Sequence, residues 1–359
     1  MKKIIGLTAL MTVISGVVYG NQDVLKNIRV TTEYRQAWTD KDGNEANNIG
    51  NAGFKSNNKT FARWRNIVSG ELKLSDEWGI DSKFNIIHDN DSTFQKGKRN
   101  NIKKESWENN LEFSKKINIG NLETTTTLGW LHKSSMKYKK NESKKTAGIS
   151  NEIYFGPTFG MKLFGQNITT TLEAVYFKSN GEKNGEYYLS GSGFEGGKTD
   201  GWGLNARFRT NGNIYQGKVG KVNYWIDLKN KFRDPHGKIA ATGKEAKSSV
   251  KLVYVAGIKY TTPTFAGFTG SISADNEWEK HTAKTGYKNT ISVWTELGYS
   301  KSFETGVGKV SISPFVKYRV LQRATLKDKN NRGLKNYGYK RTTETNEVRA
   351  GLNIGLTVK

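Results

Sequence analysis

The chain has no cysteine, which excludes a disulfide framework and the thiolate zinc sites. Only four prolines occur in 359 residues, so little interrupts long extended segments. No run of eighteen or more apolar residues lies in the body, so that part carries no transmembrane helix. Histidine is scarce, limited to His88, His132, His236 and His281. There is no Gly-x-Ser-x-Gly elbow and no His-Glu-x-x-His pair. With so few titratable constellations, the sequence points to neither an enzyme nor a cofactor or metal site. Acidic residues are also few, 33 against 57 Lys and Arg, for a formal charge of +24. Aromatic residues make up 11% of the chain, far more than disordered segments carry.

At the N-terminus, Lys2 and Lys3 precede the apolar run Ile4–Val18, and Val18-Tyr19-Gly20 supplies small residues at cleavage spacing. This is the pattern of a secretory signal peptide, which assigns residues 1–20 to export and 21–359 to the mature domain. An exported chain without a nucleic-acid module argues against reading its basic balance as nucleic-acid binding.

What the body does contain is a period of two. In Thr60–Leu74 one face carries Ala62, Trp64, Val68, Leu72 and Leu74, and the other carries Arg63, Arg65, Ser69, Glu71 and Lys73. Successive side chains on a strand point to opposite faces, so this pattern predicts strands. It recurs at Val24–Trp38, Thr60–Leu74, Ile80–His88, Trp107–Ile117, Leu122–Lys133, Ile149–Gly156 and Asn167–Lys178. It continues at Gly201–Thr210, Lys221–Arg233, Ser248–Thr261, Gly267–Glu279, Thr290–Lys301, Val310–Leu321 and Arg341–Val358. About fourteen such strands, within a range of about twelve to sixteen, predict an all-β transmembrane antiparallel barrel with its apolar face to lipid. Short connections such as Ser75–Gly79 and Asn118–Asn121 alternate with long ones such as Thr39–Lys59 and Ser179–Asp200. Short periplasmic turns and long extracellular loops alternate in the same way in such barrels. Pro314 inside a strand predicts a bulge, and Gly156-Pro157 is expected to end or distort its strand.

Parity then assigns sides. Trp38, Trp64, Trp107, Trp130, Trp202 and Trp278 share the lipid face next to long loops, as an interfacial aromatic girdle does. His88 and His132 share that parity, and His236 and His281 are expected in loops. The lumen face is sectored by charge. A basic wall carries Lys317, Arg319, Arg349, Arg29, Arg35, Arg63 and Arg65, with Glu33, Glu71 and Glu347 as its acids. The next sector is acidic, with Glu108, Glu112, Glu123, Glu152 and Glu173. Base returns through Arg207, Arg209, Lys229, Lys231 and Arg233, opposed by Asp227. Asp275, Glu277, Glu279 and Glu296 close the circuit with no base among them. The excess of base over acid predicts a mild preference for anions.

A signal peptide, about fourteen amphipathic strands, short turns and arginine-rich lumen faces together resemble a bacterial outer-membrane porin. The chain is similar in this pattern to the fusobacterial FomA-like major outer-membrane proteins and to the monomeric OmpG type. The resemblance implies a diffusion channel in the outer membrane of a Gram-negative bacterium, passing small hydrophilic solutes and ions. Expected partners are outer-membrane lipid and lipopolysaccharide, through basic loop pairs such as Lys103-Lys104 and Lys139-Lys140. Two other readings stay open: a surface adhesin or receptor acting through its loops on host or bacterial partners, and a channel specific for acidic oligosaccharides.

Overall fold

The structure is a computed structural model describing residues 24–39, 59–95, 102–119, 122–139, 146–163, 165–181, 197–239, 242–282, 287–327 and 340–358. The alternating segments form β1 (Leu25–Thr39), β2 (Lys59–Ser75), β3 (Ile80–Gln95), β4 (Ile102–Ile119), β5 (Leu122–Lys139), β6 (Thr146–Leu163) and β7 (Gln166–Gly181). They continue as β8 (Lys198–Gly217), β9 (Gly220–His236), β10 (Ser249–Thr261), β11 (Phe268–His281), β12 (Tyr287–Tyr299), β13 (Lys301–Thr305), β14 (Gly308–Lys327) and β15 (Lys340–Val358). Each strand from β1 to β12 pairs antiparallel with its sequence neighbour, β14 pairs antiparallel with β12, β13 and β15, and β1 pairs with β15 from Asn27↔Thr357 to Thr39↔Thr345, which closes the sheet into a barrel. β12 and β13 are two pieces of one stave, both paired to β14 and separated only by Ser300, so the barrel has fourteen staves.

That interruption has a local cause. Ser300 lies across from Ser313, with their hydroxyls 3.0 Å apart, next to Pro314. Proline has no N–H for the ladder, so pairing lapses on the facing strand. The bulge expected at Pro314 is therefore absent there. It lies six residues on, at Val320, where one extra residue enters β14 between Arg319 and Leu321. Gly156-Pro157 distorts pairing with β7, which skips from Phe155↔Ala174 to Thr158↔Thr171, but β6 continues to Leu163 instead of ending. Asn211–Gly220 also stays in the sheet except for a tight turn at Lys218-Val219, which removes the sixteen-strand option.

Strand ends differ from the sequence reading mainly on the long-loop side. β3 runs seven residues past His88 to Gln95, and β4 starts five before Trp107, at Ile102. These extensions are polar on both faces, with Asn90 and Ser92 on one and Asp89 and Asp91 on the other, so the apolar signal fades while pairing goes on. His236 and His281 are the last residues of β9 and β11 and not loop residues. At the opposite end the turns are tight. Gly79, at φ 60, and Gly165, at φ 75, close two of them in the left-handed region that glycine enters without steric cost.

The distribution of side chains is that of a barrel turned inside out relative to a soluble protein. Ile153, Phe155, Leu172, Leu204, Leu228, Ile258, Ile272 and Leu297 are exposed on the outer face. Glu33, Asp89, Asp91, Asp227, Arg233, Arg319 and Glu347 are buried on the inner one.

Candidate functional site: the lumen wall

The register sets the proposed inward positions of neighbouring strands opposite one another. Arg29, Glu33 and Arg35 share a face of β1, Arg63 and Arg65 stand opposite Arg35 and Glu33, and Arg349 stands opposite Arg35 from the other side. One row thus runs Lys317, Arg349, Arg35, Arg63 and Asp91 across five adjacent strands. The four cations of this row would repel one another at cross-strand spacing. The compensation comes partly from two acids on β3 beyond the predicted strand end at His88. Asp91 accepts both Nε and Nη2 of Arg63 at 2.7 and 2.8 Å, and Asp89 accepts the same two nitrogens of Arg65, each at 2.7 Å. Continuing the odd parity of β3 past Ile87 would have found both.

Further round the wall, acids again find partners on other strands. Glu108 meets Lys133 at 3.2 Å, and Glu112 accepts the Tyr154 hydroxyl at 2.7 Å. Glu173 accepts the Asn205 amide at 2.8 Å. Asp227 is a hub: Arg207 donates Nε and Nη2 to it at 2.8 and 2.6 Å, with Lys229 at 3.3 Å and Arg209 at 3.6 Å. Lys231 shares their inward face. Between these sectors Glu112, Glu152, Glu173, Arg207, Lys229 and Lys231 help line an inward recess of about 540 Å³.

Glu123 lies at the exposed short-turn end of β5. In β11, Asp275, Glu277 and Glu279 share the inward face, with Lys251 3.5 Å from Glu279. The expectation that this sector lacks base needs correction, because β12 begins at Tyr287 and places Lys288 opposite Glu279. Glu296 sits between Lys259 at 3.5 Å and Lys317 at 3.2 Å, linking two basic sectors.

Two inward tryptophans, Trp225 and Trp294, were not singled out by the sequence. Trp225 lies against Gly257 of the next strand, where an added Cβ would come within 2.0 Å of the indole. Trp294 carries the guanidinium carbons of Arg349 and Arg319 at 4.4 and 5.0 Å from its ring centre. Their inward parity, with charged residues two places away, was the available signal.

On the outer face Trp64, Trp107, Trp130 and Trp202 are exposed and Trp278 is partly so, while the Trp38 side chain lies outside the described residues. Their neighbours complete a belt on the long-loop side. Tyr34 meets Trp64 edge-on at 5.6 Å, Tyr176 meets Trp202 at 5.0 Å, and His88 stacks on Trp107 at 4.2 Å. His132 touches Asn151 at 2.9 Å, so both outward histidines belong to this belt and not to the lumen. A second aromatic group, with Trp78, Phe265 and the Phe268–Tyr299 pair, marks the short-turn end.

Among the described residues no cluster of three or more His, Asp or Glu is arranged to hold a metal ion. No protein family and no curated protein matches the sequence. Among solved structures, a Pseudomonas aeruginosa FadL homologue is similar with a TM-score of 0.44 and 9% identity, over 92% of this chain and 90% of that one. The transport unit of the autotransporter AIDA-I from Escherichia coli scores 0.37 at 12% identity, over 92% and 90%. An anion-selective porin from Comamonas acidovorans scores 0.37 at 11% identity, over 92% and 98%. At these scores the likenesses carry nothing about what this chain conducts or binds.

Proposed function

We propose that the protein is a passive channel of the bacterial outer membrane, exported through a cleaved signal at residues 1–20, that lets small hydrophilic solutes and ions diffuse through its lumen. The observation that carries this reading is the inversion of faces on one closed sheet. An exposed exterior of Leu, Ile and Phe bounded by two aromatic belts suits lipid. An interior of Arg, Lys, Asp and Glu suits water. Facing sectors of opposite sign set up a field across the lumen, which favours solutes able to align their own charges or dipoles. Because base exceeds acid on the wall, the channel prefers anions weakly. The lining residues are those of the four sectors, with Arg35, Arg63, Arg65 and Arg349 on one side and Arg207, Arg209, Lys229 and Lys231 across from them.

Refolded protein in a planar bilayer, under a potassium chloride gradient, tests both parts. Steady unitary current steps with a reversal potential on the chloride side are expected. A folded barrel that gives no steps rules out the open channel, and a potassium-side reversal rules out the anion preference.

A further inference from the structure

Glu33-Tyr34-Arg35 on the first strand and Glu347-Val348-Arg349 on the last repeat one pattern, acid then arginine two places on. The two copies face each other across the seam that closes the barrel, with Arg35 directly opposite Arg349. In each copy the arginine Nε donates to the carboxylate of its own strand, Arg35 to Glu33 and Arg349 to Glu347. That anchor uses the side of the guanidinium and leaves its end, the two Nη groups, unused. Among the described residues no acceptor is placed on the Nη groups of either Arg35 or Arg349.

The surroundings fix the pair and deny it other partners. The outer cations of the row are answered by acids on the strands flanking them, Lys317 by Glu296 at 3.2 Å and Arg63 by Asp91 at 2.7 Å. Among the described residues, the only ion pairs of the central two are their Nε anchors. Glu347 is further occupied by Nη2 of Arg319 at 2.9 Å, and Arg349 rests on Trp294. Arg35 and Arg349 keep 16% and 22% of their side-chain surface accessible, so a solute in the lumen reaches them. In the three cross-strand rows centred on the pair, from β14 through β15, β1 and β2 to β3, six cations (Lys317, Arg319, Arg349, Arg35, Arg63, Arg65) stand with four carboxylates (Glu347, Glu33, Asp89, Asp91).

We propose that Arg35 and Arg349 form a lumenal clamp for a tetrahedral oxyanion, the phosphate group of a small phosphorylated solute. Directly opposed residues on antiparallel strands lie about 5 Å apart, a separation one bridging anion spans. A carboxylate has two oxygens and is saturated by one guanidinium fork, whereas a phosphate offers enough oxygens to serve two forks at once. A bound phosphate also relieves the repulsion between the two arginines. The proposal rests on the open lumen of the channel reading, so its test has to separate the two.

Inorganic phosphate is the probe, at neutral pH and fixed ionic strength. Equilibrium dialysis against the refolded full-length barrel in detergent measures binding whether or not the barrel conducts. Saturable binding near one equivalent is expected, weakened about tenfold or more in R35Q/R349Q and unchanged in K309Q at the short-turn end. Since both arginines lie on the closing seam, R35K/R349K serves as a second variant that keeps the charge and loses the fork. It too is expected to bind more weakly. Absence of saturable binding by the wild-type barrel, or wild-type affinity in a folded R35K/R349K, overturns the clamp. In bilayers, phosphate should reduce chloride current with the same midpoint. Saturable binding by a barrel that passes no current keeps the clamp and removes the channel, whereas steady current without saturable phosphate binding or block keeps the channel and removes the clamp.

Discussion

Arg233 on β9 reaches past two intervening strands to Glu152 on β6, with Nη2 3.0 Å from the carboxylate and the arginine side chain fully buried. Its path runs over Gly203 of β8, where an added Cβ would lie 2.8 Å from Arg233 Cδ. Phe177 of β7 lies similarly over Gly201. The pair is thus a chord drawn across the inner wall, possible because the strand beneath it presents two glycines.

Removing one end of that chord leaves the other charge buried without its carboxylate or guanidinium. Glu152→Gln is expected to destabilise the barrel by about 3 kcal/mol, read from urea unfolding in lipid vesicles. The double variant Glu152→Leu/Arg233→Met should cost less than Glu152→Gln alone, because the buried guanidinium is then removed along with its carboxylate.

Leu204 and Ser273 offer a test of sidedness. Leu204 is exposed on the outer face of β8, and Ser273 shares the inward face of β11 with Asp275. Leu204→Arg should cost about 2–4 kcal/mol in lipid. Ser273→Arg should stay within about 0.5 kcal/mol of wild type. Equal costs in a folding titration would contradict the assignment of faces.

Tyr154 crosses Gly129 to donate its hydroxyl toward Asn110 and Glu112 at 2.8 and 2.7 Å, and a Cβ at Gly129 would stand 2.1 Å from the Tyr154 ring. Gly129→Val should therefore displace the tyrosine at a cost of about 1–3 kcal/mol. Tyr154→Phe, which removes only the hydroxyl, should cost about 1 kcal/mol. Thermal unfolding of the two variants checks the order.

Selectivity should follow the wall charge. Reversing Lys229 and Lys231 to Glu removes the basic excess of that sector and should move the reversal potential toward that of potassium in the same salt gradient.

Sequencing the N-terminus of protein isolated from cell envelopes should begin at Asn21, one residue after the proposed cleavage site. Retention of Met1 would refute cleavage.

Alternation makes the fourteen staves legible in the sequence, since an apolar face and a charged face leave a period-two trace. It failed where that trace vanishes. Past His88 both faces of β3 are polar, so pairing continues without contrast, and nothing local marks Asp89 and Asp91, which neutralise Arg65 and Arg63, as strand residues. Trp294 leaves no such trace, because an aromatic residue suggests lipid, while here its ring supports two guanidiniums. Links such as Arg233 to Glu152 span 81 residues and depend on glycines in a third strand. No local pattern encodes them.

The seam between β1 and β15 joins residues more than three hundred positions apart, so both strands are open edges until the last stave arrives. An unpaired edge invites pairing with another chain, and inward charge on such a strand discourages it. Here the discouraging arginines are each held by a glutamate on their own strand, Arg35 by Glu33 and Arg349 by Glu347. Neither needs the finished barrel for its partner. The edges can thus wait, charged but locally neutralised, for the one zipper that buries them, and the two arginines confront each other only at the moment of closure.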